Sequence, residues 1–130
     1  MASKKLETLS ACEWKLMRLV WEFKECDSRL ACQRAKEEYE WADSTTKTFL
    51  RRLVKKGYLH AKRVGTCFLY KPARSSFEPL RQAVDNLLAY AKEETVAPLV
   101  AHIVKKSKLS RQEIHDLRAL LDQCEPADKD

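Results

Sequence analysis

The sequence predicts a mainly α protein with a small β-hairpin, and three observations carry that reading. Three stretches before residue 58 place apolar side chains at helical spacing, residues 58 to 71 alternate with period two, and three more helical stretches follow. Apolar residues make up 45% and charged residues 34% of 130 residues, with two Gly and four Pro, the balance of a folded, helix-rich chain. The positive charge is local: residues 43 to 74 hold nine Lys/Arg and one acid, against eight and eight before them and eight and ten after. Three helices and a hairpin, with the charge on the last helix and the hairpin, describe an N-terminal winged helix-turn-helix; the remaining helices read as a C-terminal helical dimerisation module.

The first helix is expected to begin at Ser10, where SACE offers a capping box with Glu13, and to run through Trp14, Met17, Leu19, Val20, Trp21 and Phe23. KECDS breaks the pattern, and Ser28 caps a short second helix with Leu30, Ala31, Ala35 and Tyr39 on its apolar side. Asp43 is the expected N-cap of the third, whose Phe49, Leu50, Leu53 and Val54 form one face and whose other positions point away; Gly57 ends it in a left-handed conformation. YLHAKR and CFLYK, joined through VGT, read as a two-stranded hairpin in which Tyr58, Leu59, Phe68 and Tyr70 pack inward.

A boundary is expected near residue 75, dividing the chain into 1–74, 75–124 and a polar tail 125–130. SSFE and SRQE read as further capping boxes, for helices over about 76 to 92, 95 to 106 and 110 to 124. Three helices in so short a segment make little core alone. Their apolar stripes (Leu80, Val84, Leu87, Leu88; Val96, Leu99, Val100, Ile103, Val104; Ile114, Leu117, Leu120, Leu121) are therefore assigned to a homodimer interface.

A basic patch confined to one supersecondary unit is what a polyanion requires, because neutralising phosphates releases counterions. On the third helix the N-terminal half faces base edges: Ser44, Thr45, Lys47 and Thr48. Lys47 can donate to guanine O6 or N7, and threonine offers a hydroxyl and a methyl group. Arg51, Arg52, Lys55 and Lys56 are assigned to phosphate, and His60, Lys62, Arg63 and Thr66 to a wing over the backbone or minor groove. The expected partner is a double-stranded DNA operator. The alternatives are a winged-helix module meeting an acidic protein, and a repressor answering directly to a metal or thiol reagent.

Catalysis finds no footing: GxSxG, HExxH, P-loop and dinucleotide motifs are absent, and His60, His102 and His115 lie on different elements. No cofactor is expected. Cys12, Cys26, Cys32, Cys67 and Cys124 include no CxxC pair, and the gap between Cys26 and Cys32 lacks a second ligand pair, so free thiols and no metal are expected. The start MASKKLETLS has no apolar signal segment and no window reaches membrane-spanning length, which implies a reducing cytoplasm without direct membrane binding.

LSACEWKLMRLVWEF, WADSTTKTFLRRLVKKGYLHAKR, the FLY strand and LSRQEIHDLRALLD together resemble the BlaI/MecI penicillinase-repressor family, in order from about residue 9 to residue 122. The most diagnostic residues are Glu13, Met17 and Trp21, then Thr45, Lys47, Thr48, Leu50, Arg52, Leu53, Lys55, Lys56 and Gly57. The resemblance implies a homodimeric repressor on a palindromic operator, inactivated when a membrane-bound, zinc-dependent sensor protease cuts the dimerisation region. Lys47 stands where the family has Arg, and His102 and Ile103 stand where it has the cleaved Asn-Phe pair. The paired Cys-x-Cys of copper-responsive relatives is reduced here to Cys124.

Overall fold

The computed structural model describes residues 7–127. Its elements are α1 (Ala11–Phe23), β1 (Cys26–Asp27), α2 (Ser28–Tyr39), α3 (Asp43–Lys55), β2 (Leu59–Val64), β3 (Cys67–Pro72), α4 (Phe77–Leu88), α5 (Glu93–Lys106) and α6 (Arg111–Gln123). The chain forms two compact units that meet in sequence between Asn86 and Leu87, later than the expected boundary near 75, because most of α4 groups with the N-terminal unit.

In the N-terminal unit the capping box at Ser10 forms as expected. Ser10 Oγ accepts from Glu13 N at 3.2 Å and Glu13 Oε1 accepts from Ser10 N at 2.8 Å. Leu16, Met17, Leu19 and Val20 of α1 pack with Ala31 and Ala35 of α2 and Leu50 and Leu53 of α3 in a single core, closed by Tyr58, Leu59 and Tyr70. Two expected caps move by one residue. Asp27, not Ser28, caps α2, its carboxylate accepting from Leu30 N at 2.7 Å. Ala42 occupies the N-cap of α3, so Asp43 becomes its first helical residue, where its negative charge still favours the helix dipole. Gly57 follows α3 at φ 85°, a conformation that costs a residue with a Cβ.

The expected two-stranded hairpin is a three-stranded antiparallel sheet ordered β1-β3-β2. KECDS does more than break the helix: Cys26 pairs with Tyr70 and Asp27 with Leu69. A two-residue strand carries no periodicity for a sequence to display. The β2–β3 turn places Gly65 at φ 63° at the first of its two central positions, the requirement of a type II′ hairpin. Beyond Leu59 and Tyr70 the hairpin outruns the core. Phe68, expected inside, is 45% exposed for that reason, although it shares a strand face with Tyr70.

Helix α4 starts at Phe77, which makes Glu78 its second residue instead of the third that a box from SSFE needs; Glu78 pairs with Arg81 at 2.9 Å. In the C-terminal unit α5 begins at Glu93 and contains Pro98, and α6 opens with the expected box, Ser110 Oγ accepting from Glu113 N at 3.1 Å and Glu113 Oε1 from Ser110 N at 3.0 Å. Neither α5 nor α6 buries a side chain. No described helix is long and apolar enough to cross a membrane.

Candidate nucleic-acid interface

Helix α3 lies in the N-terminal unit with Thr46, Leu50 and Leu53 fully buried. Thr46 was expected to face away, yet its spacing of four from Leu50 and seven from Leu53 puts it on their face. The same geometry fixes what looks outward. Ser44, Thr48, Arg51 and Lys55 form one stripe opposite the core, with Lys47 flanking it on one side and Thr45 and Arg52 on the other. Thr48 Oγ1 donates to Ser44 O at 2.9 Å, which fixes the hydroxyl and presents its second lone pair outward.

The two flanks differ. Arg52 lies over the Phe49 ring at 5.4 Å, and Phe49 continues into Trp41 and Tyr39 at centroid spacings of 5.3 and 5.2 Å. That ladder holds the guanidinium beside the stripe. Lys47 instead borders a cleft shared by α2, the start of α3 and the hairpin turn, with Arg29, Gln33, Lys36, Asp43, Thr66 and Cys67 on its walls. Lys36 meets Asp43 at 3.5 Å, which ties the C-terminal half of α2 to the N-terminus of α3. Arg29, Gln33 and Lys36 escaped the sequence reading, which treated α2 as packing alone; their spacing of four and three along its outer side is the signal that finds them.

Lys56 requires a correction. Expected on phosphate, its ammonium donates to Glu13 Oε1 at 2.7 Å and to Thr8 O at 3.0 Å. Glu13 is buried, and its side chain is only 3% exposed. Burial pushes its carboxyl up, but the Lys56 ammonium and the Ser10 hydrogen bonds outweigh that and hold it below the ordinary carboxylate range. One residue thus completes the cap of α1 and anchors the end of α3. The C-terminus of α3 is pinned from inside the protein, and of its two neighbouring lysines Lys55 is the one that faces out.

On the hairpin, register splits the expected wing contacts between two faces. His60 and Lys62 share one, opposite Lys71 and Leu69, while Arg63 shares the other with Phe68. All three are exposed, as is Thr66. Arg63 Nε donates to Gly65 O at 3.4 Å, curling back over the turn. The expected dimer residues are all exposed, from Val96 at 37% to Leu87 at 69%. His102 and Ile103 lie within α5, where Ile103 O accepts from both Ser107 N and Ser107 Oγ. All five cysteines are free thiols, and burial pushes Cys26 up to about 11. No group of three or more metal-binding side chains occurs among the described residues.

A three-helix core with an antiparallel wing, and a helix that turns a hydroxyl and cationic stripe outward, defines a winged-helix DNA-binding regulator. The sequence profile of the penicillinase repressor family matches residues 9–123, and the chain belongs to that family of transcriptional repressors. It is similar to an uncharacterised 16.5 kDa protein of Latilactobacillus sakei, with 30% identity over 87% of this chain and 77% of that one. It also resembles the methicillin resistance regulatory protein MecI of Mammaliicoccus sciuri, at 25% identity over 88% and 94%, and the penicillinase repressor of Bacillus licheniformis, at 24% over 92% and 94%. Among solved structures, the DNA-binding domain of the repressor BlaI matches with a TM-score of 0.53 and 27% identity, covering 56% of this chain and 89% of that domain. The Bacillus licheniformis BlaI monomer in complex with the blaP half-operator matches with a TM-score of 0.50 and 26% identity, covering 55% and 88%.

Proposed function

We propose that this DNA-binding repressor acts as a homodimer on a dyad-symmetric operator, each protomer laying α3 in the major groove. The observation that carries the reading is the single outward stripe of Ser44, Thr48, Arg51 and Lys55 flanked by Lys47, on a helix whose opposite side is fully buried. Ser44, Thr45, Lys47 and Thr48 meet base edges, Arg51, Arg52 and Lys55 meet phosphate, and the wing residues His60, Lys62, Arg63 and Thr66 follow the adjoining backbone. Arg29 and Gln33 add phosphate contacts from α2 across the cleft that Lys47 borders. A solved relative in the family was captured on a half-operator, which supports a repeated half-site.

The exposed stripes of α4, α5 and α6 supply the second half of the argument. Joining two half-site readers raises avidity by about 10²–10⁴-fold without any new DNA contact. Relief by cleavage at His102–Ile103 belongs to the same reading, with a membrane-bound sensor metalloprotease as the partner and the cytoplasm as the location. That bond is helical, so α5 must unwind locally before a protease can bind it as an extended strand.

Selection of the full chain on random duplexes, followed by salt titration on the winners, tests the proposal. Recovered sites are expected to be dyad-symmetric, with affinity falling by about 10³-fold or more between 50 and 200 mM salt. Equally weak binding to every duplex would leave the basic face to an acidic protein partner and end the operator reading.

A further inference from the structure

A second cleft of about 510 Å³ opens in the N-terminal unit, apart from the α3 stripe. Trp14, Lys15, Arg18 and Trp21 of α1 line it with Tyr39 of α2 and Leu80 of α4. The polar ends of two of its three aromatic walls are already occupied: Trp21 Nε1 donates to Arg74 O at 2.9 Å, and the Tyr39 hydroxyl donates to Lys15 O at 3.2 Å. What these two turn to the cleft is therefore ring surface. Trp14 and Trp21 lie 6.2 Å apart and tilted by 52°, a pair in mutual contact that forms one aromatic wall, and Leu80 is half exposed beside them.

Against this apolar lining stand two cations. Lys15 Nζ lies 5.5 Å from the Tyr39 ring centre, and among the described residues neither Lys15 nor Arg18 has a carboxylate within 4 Å. Volume, aromatic walls and a few convergent charges are the attributes of a small-molecule site. With Glu22 and Glu38 near Tyr39 but no ion pair formed, the two cations still favour an anion, and the aromatic wall favours an apolar ring laid against it. A second copy of the chain is a poorer occupant. Its exposed stripes on α5 and α6 are apolar, and seating one here would bury both cations unpaired.

We propose that this cleft binds a small aromatic carboxylate, its ring system laid against the Trp14–Trp21 pair and Leu80 and its negative charge on Lys15 and Arg18. The probe is 2-naphthoate, titrated into the full chain while the three indole N–H resonances are followed by NMR, with 2-naphthalenemethanol as its uncharged counterpart. The Trp14 and Trp21 resonances should shift and saturate, with a Kd of about 1 mM, the affinity an ordinary ligand efficiency gives a molecule of this size. Trp41, outside the cleft but stacked on Tyr39, should shift less than either. The acid should bind about fivefold more tightly than the alcohol, and the Lys15→Gln/Arg18→Gln variant should lose that ratio. Both substituted side chains are exposed, so the variant keeps its fold, and an unchanged spectrum outside the cleft confirms it. Absence of saturable shifts, equal binding of acid and alcohol, or equal response at Trp41 would overturn the proposal.

Discussion

Leu50 on α3 and Leu99 on α5 occupy the apolar sides of two helices of similar length, yet Leu50 is fully buried and Leu99 is 44% exposed. The N-terminal unit finishes its core with its own residues, drawing on α1, α2, α3 and all three strands. The C-terminal unit has two helices with apolar stripes and nothing buried. Apolar surface of that extent costs about 25 cal/mol per Å² while it stays in water. One unit is complete as a single chain. The other leaves its apolar stripes in water, the surface that the proposed homodimer would cover.

The substitution expected to separate the two units most strongly is Leu99→Asp. A carboxylate in the middle of the α5 stripe should shift the protein to monomer in sedimentation velocity. Operator affinity should fall by about 10²-fold or more as the linked second half-site is lost, while the thermal transition of the N-terminal unit stays in place. A dimer that survives this change would move the interface off α5.

Next in size is the internal anchor of α3. Glu13→Gln leaves the Lys56 ammonium without its charged partner, at a cost of about 2–3 kcal/mol in denaturant unfolding at pH 7. The sign with pH follows from the lowered Glu13 pKa. Its contribution is fully present above the unfolded carboxyl pKa of about 4.3 and is lost as pH falls through the lower folded value. The gap between parent and variant should therefore narrow on acidification. A constant gap from pH 7 to acid would mean that packing, not charge, holds the pair.

Smaller effects resolve the α3 stripe itself. Lys47→Ala should cost about 1–3 kcal/mol on the selected operator and relax preference at particular bases. Lys55→Ala should weaken all duplexes alike and reduce the salt slope by about one. Reversed behaviour would mean that the helix docks rotated about its axis. Lys56→Ala, by contrast, should lower stability before it touches base preference.

Much of this was legible in the chain. The boxes at Ser10 and Ser110, the stop at Gly57 and the hairpin around Gly65 are local signals, complete within a few residues, and the structure contains all four. What stayed hidden depends on partners distant in sequence. Lys56 reads as one more cation on a basic helix until Glu13, 43 residues earlier, is brought to 2.7 Å. Strand β1 exists only because β3 lies beside it, and Phe68 is exposed because the hairpin extends past the core. The outward stripe of α3 follows from its spacing, and the spacing of Arg29 and Gln33 marks an outer side of α2, but that both border one cleft needed the fold.

Thr46 offers the finest test of how complete the N-terminal core is. It is fully buried on the packed face of α3, and its hydroxyl has no hydrogen-bond partner among the described residues. A buried unsatisfied polar group costs about 1–3 kcal/mol, and valine has nearly the same shape without that group. Thr46→Val should therefore raise stability by about 1 kcal/mol in denaturant titration, with operator preference unchanged because the residue faces away from the stripe. The outcome discriminates sharply, since a loss of stability would mean that the hydroxyl is satisfied in solution and that water reaches the underside of α3.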